Sequence, residues 1–464
     1  MRQIFKYIAW IVIASCVVSC SGIPDMVEVM VEEVTSDKNS VSLNLVGRYI
    51  TAVKGLSRTR ADQSEITPVL NEGDTVMYLV NYPEGGWELL SADKRVPTRL
   101  MVGEEGSMSL SEIEEHPGMS ILLNDMRNQI SAVKRSSQEE PVTEKGILWD
   151  DVAPMTENTR SENINWVLYD TETVYLDSTD VRHLTKTHWG QTSANGKWYN
   201  RFVPYVDSSK QNTSEGRCAV GCVPVAIGQM LAYLYGKINL TTTCTFSECT
   251  CNTFVPEGVF ATTYGDSFIP NLSTSMSNDM YWRNVAMGSS ELQQKCIAVL
   301  LSYLGYLLDS VYYIKDPITL VYSKFTNTQS SLIMPCLNNI YNIYCNDVAW
   351  NSAIVKAQLT ENKMPVLIFA NDQNGDKGHT WIIDGYYCMN SLINYYYVGF
   401  EQPSTSEPIY KTVQLAQNEE FFTMNWGEGG IGDADTYYID SSDWTIDSQH
   451  YFVTNRRIMY GFSN

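Results

Sequence analysis

The residue best suited to act as a reactive group in this chain is Cys222, which lies in the stretch Gly216 to Met230, GRCAVGCVPVAIGQM. Gly221 precedes it, and Val223-Pro224 follows with the pattern of a helix's first turn, where proline is well tolerated. A thiol at a helix amino terminus faces unpaired N–H groups and the positive end of the helix dipole, which lower its pKa. The spacing favours a nucleophile, and a buried apolar cysteine, a metal ligand and a disulfide partner remain alternatives.

The other cysteines bear on these alternatives. Cys218 lies one helical turn before Cys222, but the chain has no C-x-x-C pair and few histidines nearby, which disfavours structural zinc. Leaving out Cys16 and Cys20, nine cysteines remain, and this odd number leaves at least one thiol unpaired in a monomer. Polar, loop-like sequence predicts disulfide bonds at four of them: Cys218, Cys244, Cys249 and Cys251.

A nucleophilic thiol needs a base, and the chain has five histidines. His379 follows the tight polar loop Gly375–Gly378 and enters the apolar strand Thr380–Gly385, so the strand fixes its backbone while the ring can project into a cleft. A surface loop histidine is the alternative. The other four lie in the amino-terminal module, in polar sequence or near the carboxyl end: His116, His183, His188 and His450.

A third chemical group follows in Asn425–Gly430, NWGEGG. The Asn425 side-chain oxygen can accept a hydrogen bond from an imidazole and orient it, and the Trp426 indole can shield that bond from water. A strand end with its turn is the alternative. Cysteine, histidine and asparagine in this chain order is the order found in papain-like peptidases.

Together these motifs resemble the streptopain family, bacterial papain-like cysteine peptidases made as proenzymes. The resemblance covers roughly residues 45 to 460 and rests on VGCV with Gln229-Met230, on GHTWIIDG, on NWGEGG and on His188-Trp-Gly-Gln191. It implies Cys222 as nucleophile, His379 as base and Gln191 as a donor to the oxyanion, with no cofactor. The hairpin module Tyr78–Arg95 is similar to the family's propeptide.

Two departures from the family pattern concern the cleft. Glu428 stands where the family often has tryptophan, and a carboxylate there could alter the rim of the cleft. Tyr312–Pro317 replaces a Gly/Ser-rich stretch that lines the substrate site in many members. Substrate preference therefore does not carry over from the family.

Periodicity predicts the elements that position these residues. Helical spacing marks Val220–Tyr235 and Ser290–Leu308. β-rich runs predict a hairpin in the amino-terminal module and further strands later in the chain: Val76–Tyr82, Trp87–Leu90, Pro365–Phe369, Thr380–Asp384, Tyr395–Phe400, Phe421–Asn425 and Phe452–Tyr460. Helices followed by strands indicate an α+β protein. The resemblance specifies a papain-like domain, a helical part plus an antiparallel β part, preceded by a small α+β propeptide.

The expected domains follow the chain in order. They are a signal peptide (1–19), a lipidated amino terminus and tether (20–45), an inhibitory propeptide domain (46–135), a linker and activation region (136–179) and the catalytic domain (180–464). Lys134–Gly146 is polar and aperiodic, and trypsin-like cleavage is expected at Lys134-Arg135.

The amino terminus and the charge predict location and partners. Arg2 and Lys6 precede the short apolar stretch Ile8–Val18, the pattern of a signal peptide, and Ser19-Cys20 resembles a bacterial lipobox. Lipid on Cys20 would hold the protein at a membrane, periplasmic or at the cell surface; an ordinary secretory signal is the alternative. A net charge of −21 and no dense basic stripe disfavour nucleic-acid binding.

The predicted function is a lipoprotein cysteine endopeptidase made as a zymogen, with proteins or peptides as substrates and its own propeptide as inhibitor. Cleavage between residues 130 and 180 would free the catalytic part. Two rivals are a transglutaminase-like acyltransferase, for which an aspartate in place of Asn-Trp is expected, and a catalytically silent surface module that binds host protein or glycan.

Overall fold

The computed structural model describes the 464-residue chain except for residues 1–37, 54–62, 144, 151–163, 195, 204–212, 235–236, 239–290, 313, 316–321, 324–325, 372–377, 402–407, 431–435, 443, 448 and 451–455. The predicted signal peptide, Cys20 and the cysteine-rich insert with Cys244, Cys249 and Cys251 lie outside the described residues. No described helix is long and apolar enough to cross a membrane.

The chain alternates between helices and antiparallel strands. The helices are α1 Leu43–Val53, α2 Leu110–Glu115, α3 Pro117–Arg135, α4 Cys222–Leu234, α5 Glu291–Leu307, α6 Ile333–Tyr341 and α7 Ser352–Thr360. The strands are β1 Glu65–Asn71, β2 Asp74–Asn81, β3 Trp87–Ser91, β4 Arg99–Gly103, β5 Ile164–Val181, β6 Ser193–Ala194, β7 Lys197–Trp198, β8 Ile314–Lys315, β9 Tyr322–Ser323, β10 Tyr344–Ala349, β11 Val366–Asn371, β12 Gly378–Glu401, β13 Ile409–Asn425, β14 Thr436–Ile439, β15 Thr445–Ile446, β16 Gln449–His450 and β17 Arg456–Ser463. The α+β class predicted from the sequence is confirmed.

Helix α4 is the centre of the helical part of the molecule. Ten of its thirteen residues are buried, including positions on every side, because it packs against α5 and the sheet at once. Gly228 allows the close approach to α5, since a Cβ there would lie 2.7 Å from Leu301 Cδ2. This packing fixes the helix that begins at Cys222.

One eleven-stranded sheet runs through the molecule in the order β1-β2-β3-β4-β14-β13-β12-β11-β17-β10, with β5 also paired to β12. The predicted strands Thr380–Asp384 and Tyr395–Phe400 are two parts of the single 24-residue strand β12. The sequence between them was not expected to be β. It pairs with β13 on one side and with β5 on the other, and these long-range partners extend the strand.

The amino-terminal module and the carboxyl-terminal part form one compact unit from Asn39 to Asn464. Strand β4 of the module pairs with β14, and one hydrophobic core includes residues of both parts, such as Leu122 of α3 and Met424 of β13. Two ion pairs, one partly and one almost fully buried, cross the same boundary. Arg99 contacts Glu419 at 2.7 Å, and Asp125 contacts Arg456.

The range 136–179, predicted as a linker, contains packed structure. The amide of Thr445 donates to the Val142 carbonyl (2.8 Å), and the amide of Gly146 donates to the Asn418 carbonyl (2.8 Å). From Ile164 onward the chain is strand β5. Lys134 and Arg135, predicted as a trypsin-sensitive site, form the last turn of α3.

Five described cysteines are not in disulfides: Cys218, Cys222, Cys336, Cys345 and Cys388. The disulfide predicted for Cys218 is therefore wrong. Its side chain is fully buried, and its thiol donates to the Tyr312 carbonyl (3.0 Å). Polar neighbours in the sequence indicated a loop, but Cys218 belongs to the same buried hydrophobic cluster as residues of α5, so its sulfur lies in the core.

Candidate active site

Cys222 is the first residue of α4. Gly221 directly before it has a φ of +105°, a backbone conformation that only glycine adopts without strain, and a Cβ there would lie 3.1 Å from Thr326 Cγ2. The turn into the helix therefore requires glycine at 221. The sulfur stands at the helix amino terminus, as the sequence predicts, and the side chain is partly buried.

The Cys222 thiol is protonated in this state. Burial raises its pKa to about 11, and the nearby Glu428 carboxylate contributes to the increase, while a hydrogen bond from the backbone N–H of Thr380 opposes it. The sequence predicts a lowered pKa from the helix terminus. The structure shows the opposite direction because burial of the thiol outweighs the backbone N–H groups that face it.

His379 lies one residue before the amide that contacts the Cys222 sulfur. Its ring is buried, stacks on Trp381 with centroids 5.8 Å apart, and its Nε2 donates to the Trp426 carbonyl at 3.0 Å. Burial lowers the pKa of His379 to about 4, and the hydrogen bond to Trp426 only partly offsets this. The imidazole is therefore neutral at pH 7.

The side chain of Asn425 has a full set of hydrogen-bond partners. Its Oδ1 accepts from Gln229 Nε2 (2.9 Å) and from the amide of Gly427 (3.3 Å). Its Nδ2 donates to Thr185 Oγ1 (2.9 Å) and to the Thr187 carbonyl (2.6 Å). Because both oxygen lone pairs and both N–H groups are used, Asn425 does not orient His379 in this state.

Thr185 links Asn425 to a buried carboxylate. Its hydroxyl donates to Asp384 Oδ2 (2.7 Å), and Thr423 donates to Asp384 Oδ1 (3.0 Å). Burial raises the pKa of Asp384, while the two hydroxyls oppose that shift. Thr185 is not predicted from the sequence, since a threonine in polar sequence carries no signal. Gln229 lies in the motif around Cys222, but its contact with Asn425 depends on the tertiary packing.

Gln191 is held close to the nucleophile by the backbone. The amide of Val220, two residues before Cys222, donates to the Gln191 carbonyl at 2.8 Å. The Gln191 side chain extends to the rim of the site, where its Nε2 donates to the Glu428 carboxylate. The predicted oxyanion donor is therefore near Cys222 and is bound to an acidic side chain in this state.

The amino terminus of α3 packs directly on the site. The His116 ring meets Trp426 edge-on with centroids 5.5 Å apart. At Gly118, an added Cβ would overlap the Trp426 ring and would lie 2.9 Å from His379 Cδ2. His116, assigned from the sequence to a separate module, thus contacts the ring of Trp426, and the backbone carbonyl of Trp426 holds His379.

The five residues predicted to act together are thus placed around one another. The structure brings the chain segments that carry His379 and Gln191 to the start of α4 through the contacts of Thr380 and Val220, and His379 contacts Trp426, the residue after Asn425. Their catalytic roles stay predictions. Among the described residues, no group of three or more His, Cys, Asp or Glu side chains could hold a metal ion.

Comparison with known proteins gives one family. The family model described as "Peptidase C10 family" matches residues 189–438, more than half of the chain. No curated protein sequence matches the chain. Two similar solved structures are both from Prevotella intermedia: a prointerpain A fragment, and active wild-type interpain A cysteine protease.

The similarity to the prointerpain A fragment has a TM-score of 0.48 at 16% sequence identity and covers 86% of this chain and 99% of that one. The similarity to active interpain A has a TM-score of 0.35 at 17% identity and covers 62% of this chain and 97% of that one.

Proposed function

Because the chain belongs to the peptidase C10 family and is a cysteine peptidase, we propose that it is an endopeptidase zymogen in which Cys222, His379 and Gln191 hydrolyse peptide bonds after activation. The observation that supports these roles is the hydrogen bond from the Thr380 amide to the Cys222 sulfur, because Thr380 directly follows His379 in the chain. The enzyme class follows from the family, and the roles of the residues are the proposal.

The proposed reaction is acyl transfer to water. His379 takes the proton of Cys222, and the thiolate attacks the peptide carbonyl carbon to form a tetrahedral intermediate. The Gln191 Nε2 and the Cys222 backbone N–H donate to the oxygen that becomes negative. His379 then gives its proton to the leaving amine, and water hydrolyses the thioester to release the acid and restore the thiol.

The state described here is proposed to be the latent one. The thiol is protonated, His379 is neutral and bound to the Trp426 carbonyl, and the Gln191 donor is bound to Glu428. Activation requires His379 to leave the Trp426 carbonyl and pair with Cys222. The imidazole must also replace one of the two present donors to Asn425 Oδ1. A thiolate–imidazolium pair lowers a thiol pKa to about 3–4.

The inhibitor is proposed to be the module 46–135. The first turn of α3 packs on Trp426 and His379, and a shared sheet and core hold the module in place. Removing α3 would uncover the side of Trp426 and His379 that Gly118 now covers. Cleavage between residues 130 and 180 is the proposed trigger, and the mature domain is proposed to begin near residue 180.

Thiol labelling before and after activation tests this proposal. At pH 7 a thiol with a pKa of about 11 is ionised in only about one molecule in 10⁴. We expect iodoacetamide to label Cys222 at least about 100-fold more slowly in the precursor than in the self-incubated, trimmed protein, because the paired thiolate forms only in the latter. Precursor labelling should rise about tenfold per pH unit up to about pH 11, and that of the trimmed protein should be flat from about pH 5 to 8.

Cys345 provides the internal control, because it is also partly buried, burial raises its pKa to about 11, and its strand β10 lies at the opposite end of the sheet from the amino-terminal module. Its labelling should not change on trimming. Casein cleavage should appear together with Cys222 labelling, and amino-terminal sequencing of the same sample gives the maturation cut. Equal labelling of Cys222 in both forms, without casein cleavage, would favour the silent binding module.

The lipid anchor is a separate part of the proposal. We propose an exported lipoprotein attached through Cys20, on the basis of Arg2 and Lys6, the apolar stretch Ile8–Val18 and the small residue Ser19. In cells that make the protein, palmitate labelling is expected for the wild type and for Cys16→Ala, and is expected to be lost in Cys20→Ala. Unchanged labelling of Cys20→Ala would exclude this anchor.

A further inference from the structure

The loop after Trp426 is held rigidly against the segment that carries Gln191. The amide of Gly429 donates to the Trp189 carbonyl at 3.0 Å, and Gly427 and Gly429 have φ values of +74° and +76°. A Cβ added to Gly190 would lie 3.2 Å from the Gly429 amide nitrogen. The side chain between the two loop glycines, Glu428, is therefore positioned by the backbone.

Glu428 lies among the atoms that handle the scissile carbonyl. Its carboxylate accepts the hydrogen bond from Gln191 Nε2, the predicted oxyanion donor. Its negative charge also acts on the Cys222 sulfur, where it opposes a second negative charge. The side chain is partly exposed, so a bound peptide can reach it.

This placement has a direct consequence for substrates. An anionic side chain next to a developing thiolate or oxyanion is unfavourable unless a positive charge compensates it. A lysine or arginine side chain of the substrate, next to the scissile bond, would pair with the carboxylate and withdraw it from Gln191. A glutamate or aspartate at that position would be repelled by it.

We propose that Glu428 makes this enzyme select peptides with a basic residue adjacent to the scissile bond. This inference rests on the proposed function, because Gln191 must act as the oxyanion donor and Cys222 as the nucleophile. Pairing with the basic side chain neutralises the carboxylate and frees the Gln191 N–H groups for the oxyanion. Substrate binding and assembly of the oxyanion site are thereby coupled.

The test uses peptides that differ only in one residue, lysine, glutamine or glutamate, placed on either side of the scissile bond. The full-length wild type, Glu428→Gln and Glu428→Lys are self-incubated until Cys222 labelling is constant, and kcat/KM is divided by the labelled fraction. For the side that contacts Glu428, we expect the wild type to prefer lysine over glutamate by at least about 10-fold. The ratio should fall to within about 3-fold of unity in Glu428→Gln and should invert in Glu428→Lys.

Glu361→Gln is the matched control, because it removes the same charge from an exposed side chain at the end of α7. Lys363, two residues later, contacts Tyr233 at the far end of α4, roughly 16 Å along that helix from Cys222. The control should keep the wild-type ratio.

Two results would overturn the inference while leaving the peptidase intact. One is an unchanged lysine-to-glutamate ratio in Glu428→Gln. The other is an equal rise of kcat/KM for all peptides in Glu428→Gln, in which case Glu428 restrains Gln191 without selecting substrates. A wild type that labels at Cys222 but cleaves no peptide or casein would instead overturn the proposed function, and this inference with it.

Discussion

Replacing Cys222 by alanine is expected to lower casein hydrolysis by the trimmed protein by on the order of 10⁴-fold or more. The reason is that Cys222 is the proposed nucleophile of the covalent acyl intermediate, and loss of a nucleophile leaves only the binding and oxyanion contributions. The measurement is casein hydrolysis at pH 7 after the variant precursor has been trimmed by a small amount of wild-type enzyme, which is then removed.

Cys388→Ala is the control for this prediction. It removes a partly buried thiol of raised pKa from strand β12, the strand that carries His379, and it should keep activity within a few-fold of wild type. Comparable activity in Cys222→Ala and the wild type would contradict the assignment of the nucleophile. Equal losses in Cys222→Ala and Cys388→Ala would indicate a structural effect instead.

Replacing Asp125 by leucine is expected to reduce the free energy of unfolding of the precursor by about 3–5 kcal/mol. Asp125 on α3 pairs with Arg456 at the start of β17, and both side chains are almost fully buried. Without the carboxylate, the Arg456 guanidinium remains as an uncompensated buried charge. Urea unfolding in the Cys222→Ala background, which prevents self-cleavage, measures the change.

Two variants make this second prediction specific. Asp125→Leu combined with Arg456→Met should recover most of the loss, because an apolar pair can replace a buried ion pair. Glu72→Ala removes the partner of Arg135 in an exposed pair with a 3.3 Å contact, and it should change stability by less than about 1 kcal/mol. A loss below about 1 kcal/mol for Asp125→Leu would contradict a large cost of leaving Arg456 unpaired, and no recovery in the double variant would show that the loss does not come from the uncompensated Arg456 charge.

The ion pair also bears on latency. Asp125 belongs to the proposed inhibitory module and Arg456 to the catalytic part, so loss of either charge alone is expected to weaken the docking of α3 against the sheet. The first turn of the same helix packs on Trp426 and His379. Stability of the precursor and restraint of His379 therefore depend on the same docked helix.

Local sequence patterns were sufficient to predict the helices and strands that carry the site residues. Apolar residues at helical spacing predicted α4 and α5 to within two residues at their starts and ends, and Pro83–Gly86 predicted the β2–β3 hairpin. The short motifs around Gln191, Cys222, His379 and Asn425 also indicated the family, which the match over residues 189–438 confirmed. These signals are short-range, so they are present in the sequence itself.

The sequence did not predict contacts between distant segments. The full length of β12 depends on its pairing with β13 and β5, since the segment between its two predicted parts contains glycine, asparagine and serine, which have little β signal of their own. The disulfide expected at Cys218 failed for the same reason, because burial against distant residues cannot be read from polar neighbours. The contact of Gln229 with Asn425 joins positions 196 residues apart.

The types of residue in the site and their order were thus properties of the chain alone, whereas their protonation was decided by the fold. Cys222 at a helix start indicated a low pKa, yet burial raises it to about 11, and burial lowers the pKa of His379 to about 4. Glu428 was visible in the sequence as a departure from the family, but only folding brings its carboxylate to Gln191. Desolvation and charge–charge interactions depend on distances in space, and short stretches of sequence do not contain those distances.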